Sequence, residues 1–112
     1  MTSREKYWDD IELSEVAVGR DVLLVITGGA RHIGAASTAF IQDGKVEVQT
    51  SAVPRHKEHL VTEKVALRVA AALGKTVTVV MGIHYDDISK EDIFAVVNQV
   101  DIKVEQYLAQ QK

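Results

Sequence analysis

Val22-Leu23-Leu24-Val25-Ile26-Thr27-Gly28-Gly29-Ala30-Arg31-His32-Ile33-Gly34 decides the fold, because a wholly apolar run stops abruptly there and glycine-rich polar chemistry begins. Val22 to Ile26 is β-branched and leucine-rich with no polar face, the pattern of a central strand. Two later segments answer the Gly28–Gly34 stretch. Pro54-Arg55-His56-Lys57-Glu58-His59 and Gly82-Ile83-His84-Tyr85-Asp86 each again set histidine beside charge at a junction between elements. Together the three segments hold all 4 histidines.

Upstream, Ile11, Leu13, Val16 and Val18 follow an imperfect period of two, read as a strand with a bulge at Ser14-Glu15. Gly19-Arg20-Asp21 turns the chain into the central strand. Downstream, His32 to Gln42 begins with small residues, which suits a strand lying close to another backbone or a ligand. Asp43-Gly44 is a strong hairpin signal, and Lys45 to Thr50 alternates polar and apolar residues as a half-exposed return strand. Pro54 forces Val53 into an extended conformation and ends that strand. From about His56 to Leu73 the pattern is helical, with Val61, Val65, Val69 and Leu73 four apart and Gly74 as the left-handed stop. Thr76 to Ile83 is a fifth, β-branched strand. Ser89 caps a last helix with Ile88 and Ile93 placed as a hydrophobic staple, and Ile93, Val96, Val97, Val100, Val104 and Leu108 form its apolar stripe.

Alternation of direction brings the three histidine segments together. The central strand delivers Gly28–His32 to one end of the sheet, the next strand leaves, and its partner returns with Pro54–His56. The first helix then runs back, so the fifth strand brings His84 to the same end, with Tyr7-Trp8 nearby. The expected fold is α+β: a five-stranded, mostly antiparallel sheet in the order 4-3-2-1-5, with two long helices on one face.

A chain of 112 residues fits one domain over 1–112, with residues 1–10 as an amino-terminal arm. Hydrophobic residues at 46% and charged residues at 26% are those of a globular protein. A net charge of −3 argues against a nucleic-acid binder that works by neutralising phosphates. Without cysteine there is no disulfide, thiolate metal site or thiol nucleophile. The amino terminus has no apolar signal region and no run approaches the ~18 residues of a membrane span, so a cytoplasmic location is expected.

Gly28-Gly29 with Arg31 can form an anion nest, although paired glycines between strands also read as a plain hairpin turn. His56, Lys57 and Glu58, opening a helix, offer free N–H groups and a positive dipole end to a phosphate, with Arg55 and Lys57 adding charge. No Gly-x-x-x-x-Gly-Lys-Ser/Thr pattern is present, so nucleotide hydrolysis has no support. His56 and His59 lie one turn apart and His32 and His84 can approach them, which admits a metal. There is no His-Glu-x-x-His motif, and neutral histidine as a hydrogen-bonding group is preferred. Asp86 and Asp87 read as dipole-stabilising residues ahead of a capped helix. Nothing marks Ser37 or Ser51 as a nucleophile.

The succession Gly-Gly-x-x-His-Ile-Gly-Ala, Pro-x-His-Lys-Glu and Gly-Ile-His-Tyr-Asp resembles the small accessory D subunit of hydroxyarylic-acid (gallate-type) decarboxylases, the LpdD-like prenylated-flavin chaperone family. The resemblance spans roughly Gly19 to Val100. It implies a fold similar to small proteasome-assembly chaperones, and binding of prenylated FMN or FMN without turnover for a UbiD-type decarboxylase. It places Ile33 and Gly34 beside His32, His56, Lys57, Glu58 and His84 in the cofactor region. Gly28, Gly29, Arg31, Arg55 and Tyr85 complete the expected site. Arg55 departs from the glycine that the family pattern expects between Pro54 and His56. A homodimer is expected because strands this apolar need covering. Two other readings share this chain: a homodimeric assembly module without cofactor, and a small metal-dependent protein built on His32, His56 and His84.

Overall fold

The computed structural model describes residues 10–54 and 58–111. Five strands, β1 (Glu12–Val18), β2 (Asp21–Gly29), β3 (Ala35–Gln42), β4 (Lys45–Ala52) and β5 (Val77–His84), are joined by helices α1 (His59–Leu73) and α2 (Lys90–Ala109). The class is α+β, with one mixed, mostly antiparallel sheet. Both helices lie on one face. Ser37 of β3 meets Thr62 of α1, and Glu15 of β1 meets Tyr107 of α2, on the side where Leu24, Ile26, Val77 and Val79 are buried.

The strand order is β1-β2-β5-β3-β4, not the expected 4-3-2-1-5. β5 inserts between β2 and β3, parallel to the first and antiparallel to the second. Two physical reasons favour this. The two β-branched runs, β2 and β5, bury most when paired centrally, and Leu24, Ile26, Val77 and Val79 all reach full or nearly full burial. The connection over residues 30–34 must bridge two strand spacings of ~4.8 Å each, well within its reach of ~3.3 Å or more per residue. Gly28-Gly29 is therefore not a hairpin turn, since both residues continue β2 and pair with Ile83 and His84.

Three local expectations also change. β1 has no bulge, because its register against β2 is continuous from Glu12↔Thr27 to Val18↔Asp21. The broken alternation has another cause: Glu15 points to the helix face and accepts a hydrogen bond from the Tyr107 hydroxyl at 2.5 Å. β3 starts at Ala35 instead of His32, leaving residues 30–34 to cross the end of β5. α1 opens at His59, with Glu58 at its N-cap, so the expected start at His56 falls almost one turn early. Other signals read true. Asp43 and Gly44 take φ of 54° and 78° between paired Gln42 and Lys45, as a two-residue hairpin requires. Gly74 is left-handed at the α1 stop, and Ser89 forms a capping box with Asp92.

The core fills the space between the inner sheet face and the helices. α1 packs over β3, β4 and β5, and α2 lies towards β1. Direction alternates as expected despite the changed order. Asp10 and the ends of β2, β4 and β5, with the starts of both helices, therefore gather at one end of the molecule.

Candidate functional site

At this end the chain crosses itself closely. Residues 30–34 arch over β5, held by hydrogen bonds from Ala30 N–H to the His84 carbonyl and from Gly34 N–H to the Met81 carbonyl, both 2.9 Å. The crossing needs a glycine below it: a Cβ on Gly82 would stand 1.5 Å from the His32 carbonyl oxygen. A second glycine makes room for a carboxylate, since a Cβ on Gly34 would fall 2.6 Å from Glu58.

Glu58 occupies the N-cap of α1 but makes no side-chain cap bond to its own helix. Its side chain, only 14% exposed, turns towards β5 and the arch. Oε2 lies 3.4 Å from His32 Nε2 and 3.4 Å from the Ile83 amide, which donates to it. A chain of hydroxyls anchors the helix start behind it. Thr50 and Ser37 are 2.8 Å apart, Ser37 donates to Thr62 at 2.7 Å, and Thr62 donates to the His59 carbonyl at 3.1 Å. The His32 and His84 rings stand edge to face with centroids 6.2 Å apart, and His84 Nε2 is 3.0 Å from Asp86 Oδ1.

Asp10, which sequence reasoning did not single out, ties the arch down from the amino-terminal side. One oxygen accepts from the Gly29 amide at 3.0 Å and the other from the Tyr85 hydroxyl. Burial, with the hydrogen bond to Asp10 and its negative charge, pushes the Tyr85 hydroxyl above the ordinary tyrosine range. Tyr85 thus stays a protonated donor at any physiological pH.

Behind these polar groups an apolar cleft of about 350 Å³ opens between the start of α1, the end of β5 and the first half of α2. Val61, Met81, Ile83, Ile93, Val96 and Val97 form much of its wall, and Glu58, His84 and Tyr85 are the expected site residues that line it. The helix positions were legible as a core stripe; their opening into a cleft was not. Staple residues Ile88 and Ile93 both line it.

Other expected site residues stand differently. Arg31 pairs at 2.7 Å with Glu12, both largely exposed, and does not line the cleft. Gly29 and Ala30 already spend their amides on Asp10 and His84, so an anion would have to displace protein acceptors there. Gly28 is sealed from below by Ile11 and Tyr85, and Ile33 is 64% exposed. Arg55, His56 and Lys57, like Tyr7 and Trp8, lie outside the described residues. Among the described residues no group of three or more histidine or carboxylate side chains is arranged to hold a metal ion. His59 Nδ1 is buried with no hydrogen-bond partner among them.

A five-stranded α+β domain with a one-sided helix layer and an apolar cleft edged by a few convergent polar groups has the form of a small-ligand binding module. The chain belongs to the prenylated flavin chaperone LpdD-like domain family, which matches residues 5–112. It is also similar to Protein LpdD of Lactiplantibacillus plantarum, with 32% identity over 87 residues. That match covers 75% of this chain and 64% of the relative's length, so the chain spans less than two thirds of the protein it resembles. An accessory chaperone role follows from the family. Among the described residues no helix is long and apolar enough to cross a membrane.

Proposed function

We propose that this chain, as one LpdD-like domain over 1–112, is a non-catalytic chaperone that binds prenylated FMN or FMN and delivers it to a UbiD-type decarboxylase. The observation that carries the reading is the apolar cleft with Glu58, His84 and Tyr85 at its edge. Ligand sites commonly measure about 300–1,000 Å³, so a cleft of about 350 Å³ suits the flat ring system better than a whole nucleotide. Aliphatic walls exclude water from the ring. Tyr85 offers a donor, Glu58 an acceptor, and His84 either, to the polar edge of an isoalloxazine. The phosphate falls to Arg55, His56 and Lys57 at the approach to α1, and Arg31 joins them only by leaving Glu12. Gly28, Gly29, Ile33 and Gly34 shape the arch that holds His32 against Glu58. The decarboxylation chemistry belongs to the cofactor once it reaches the acceptor enzyme. The working form is a cytoplasmic homodimer.

Anaerobic titration with FMN and with prenylated FMN, followed by visible absorbance, tests this. One flavin per chain is expected to bind. Val97→Asp, which puts a charge on the cleft wall without entering the innermost core, should weaken binding at least tenfold. His84→Ala should weaken it roughly ten- to a hundredfold, the loss of a hydrogen bond worth about 1.5–3 kcal/mol. EDTA should change nothing. Equal affinity in wild type and both variants would remove the flavin from this cleft. Binding lost only after chelation would favour the metal reading, and no binding by wild type would favour the assembly module.

A further inference from the structure

The sheet has a second face, opposite the helices, left open by the described residues except at one end, where the arch of residues 30–34 crosses over Gly82. Strand pairing lays out that face in rows. One outward row runs Val16, Leu23, Thr78, Thr38, Gln49 across all five strands, and the next runs Ser14, Val25, Val80, Ala36, Ser51. Neither row contains a charge. The outward charges stand at the perimeter, with Glu12 and Asp21 on one side and Lys45 and Glu47 on the other. Val16 and Val18 are 47% and 59% exposed. An uncharged centre within a charged rim is the composition of a protein–protein interface.

We propose that this open face is where a second copy of the chain docks, sheet against sheet, leaving both clefts on the outside of the pair. The inference rests on the homodimer of the reading above and names the surface that forms it. Size favours a second copy. Five strands ~4.8 Å apart and about 25 Å long give a footprint of ~600 Å², and corrugated side chains raise the accessible area towards the ~800 Å² per partner of a standard interface. The face also suits self-association: no charge at its centre would meet its own copy, and small and branched side chains interdigitate at the ~10 Å spacing of packed sheets. β5 is the middle strand, so Thr78 and Val80 fall nearest a two-fold axis through the middle of the face. The helices and the cleft mouth point the other way, so dimerisation and delivery do not compete.

The chain has no cysteine, so a single introduced one reports position cleanly. Light scattering should give twice the 12.3 kDa chain mass. Thr78→Cys should cross-link to a dimer under mild oxidant, whereas Phe94→Cys, on the exposed helix side, should not. Thr78→Lys should give a monomer whose far-ultraviolet circular dichroism and flavin titration match wild type. If that variant fails to fold, the cysteine pair still decides. A monomeric wild type would overturn both the dimer and this face, with flavin binding read separately. A dimer cross-linked through Phe94→Cys but not Thr78→Cys would overturn the face alone.

Discussion

Single atoms of space decide the arrangement at the convergent end. Gly82 is there because the His32 carbonyl occupies the place of a side chain. Gly82→Ala should therefore destabilise the fold by ~3 kcal/mol, the upper end for overpacking against an unyielding backbone. Gly44→Ala provides the contrast, with open space around it and only the left-handed φ to pay, about 1 kcal/mol. Urea titration of both variants checks the pair, and equal costs would refute the crowding at Gly82. Arg31 behaves in the opposite way: its pair with Glu12 is largely exposed, so Arg31→Ala should shift stability by less than about 0.5 kcal/mol. Tyr85 and Tyr107 give a pH signature. Burial and a carboxylate partner raise both hydroxyls above their ordinary 10.0, so the folded protein holds these protons longer than the unfolded chain does. Their contribution is fully present below pH 10 and is lost as pH rises beyond it. The thermal midpoint should fall above pH 10, and Tyr85→Phe with Tyr107→Phe should flatten that fall.

Each helix is held by a different device. α2 begins with a reciprocal capping box, Ser89 accepting from the Asp92 amide and Asp92 from the Ser89 amide, both at 3.1 Å. Ser89→Ala should cost about 1 kcal/mol and loosen the turn that carries Ile93 into the cleft wall. α1 has no such cap, because Glu58 faces the arch, and is secured by packing and by the Ser37–Thr62 hydroxyls. Val65, 3% exposed, belongs to that packing, and Val65→Ala should cost about 2 kcal/mol with flavin affinity nearly unchanged. Leu60 is 61% exposed on the same helix, and Leu60→Ala should stay within about 0.5 kcal/mol. Chemical denaturation of the three variants orders them. The elements themselves were largely legible: hairpin, helix stop, the Ser89 cap and five strands all follow from turn residues and periodicity. The bulge assigned to Ser14-Glu15 failed because an inward carboxylate is indistinguishable from a register slip until Tyr107 is seen above it.

Across the whole molecule, the insertion of β5 between β2 and β3 is the governing feature. β2 meets this second partner across the whole of β3, β4 and α1 in sequence, since Val22 pairs with Val77 and Gly29 with His84. Such non-local pairing slows folding relative to a meander of neighbouring strands. It also concentrates protection: the amides of β2 and β5 should be among the last to exchange with deuterium, and those of β4, an edge strand, among the first of the sheet. Rapid exchange of β5 would contradict its central place.

Sequence alone determined the α+β class, the element types and the meeting of Gly28–His32, Glu58 and Gly82–Asp86 at one end. The meeting survives any strand order because it depends only on each element reversing the direction of the one before. Tertiary structure alone decided that β5 lies between β2 and β3, that Asp10 ties Gly29 to Tyr85, that Glu58 leaves its cap to face His32, and that most of the α2 stripe lines a cleft. Periodicity states which side of a strand or helix is apolar. It carries no record of the partner that side will meet, which is set by the total burial of all elements packed together.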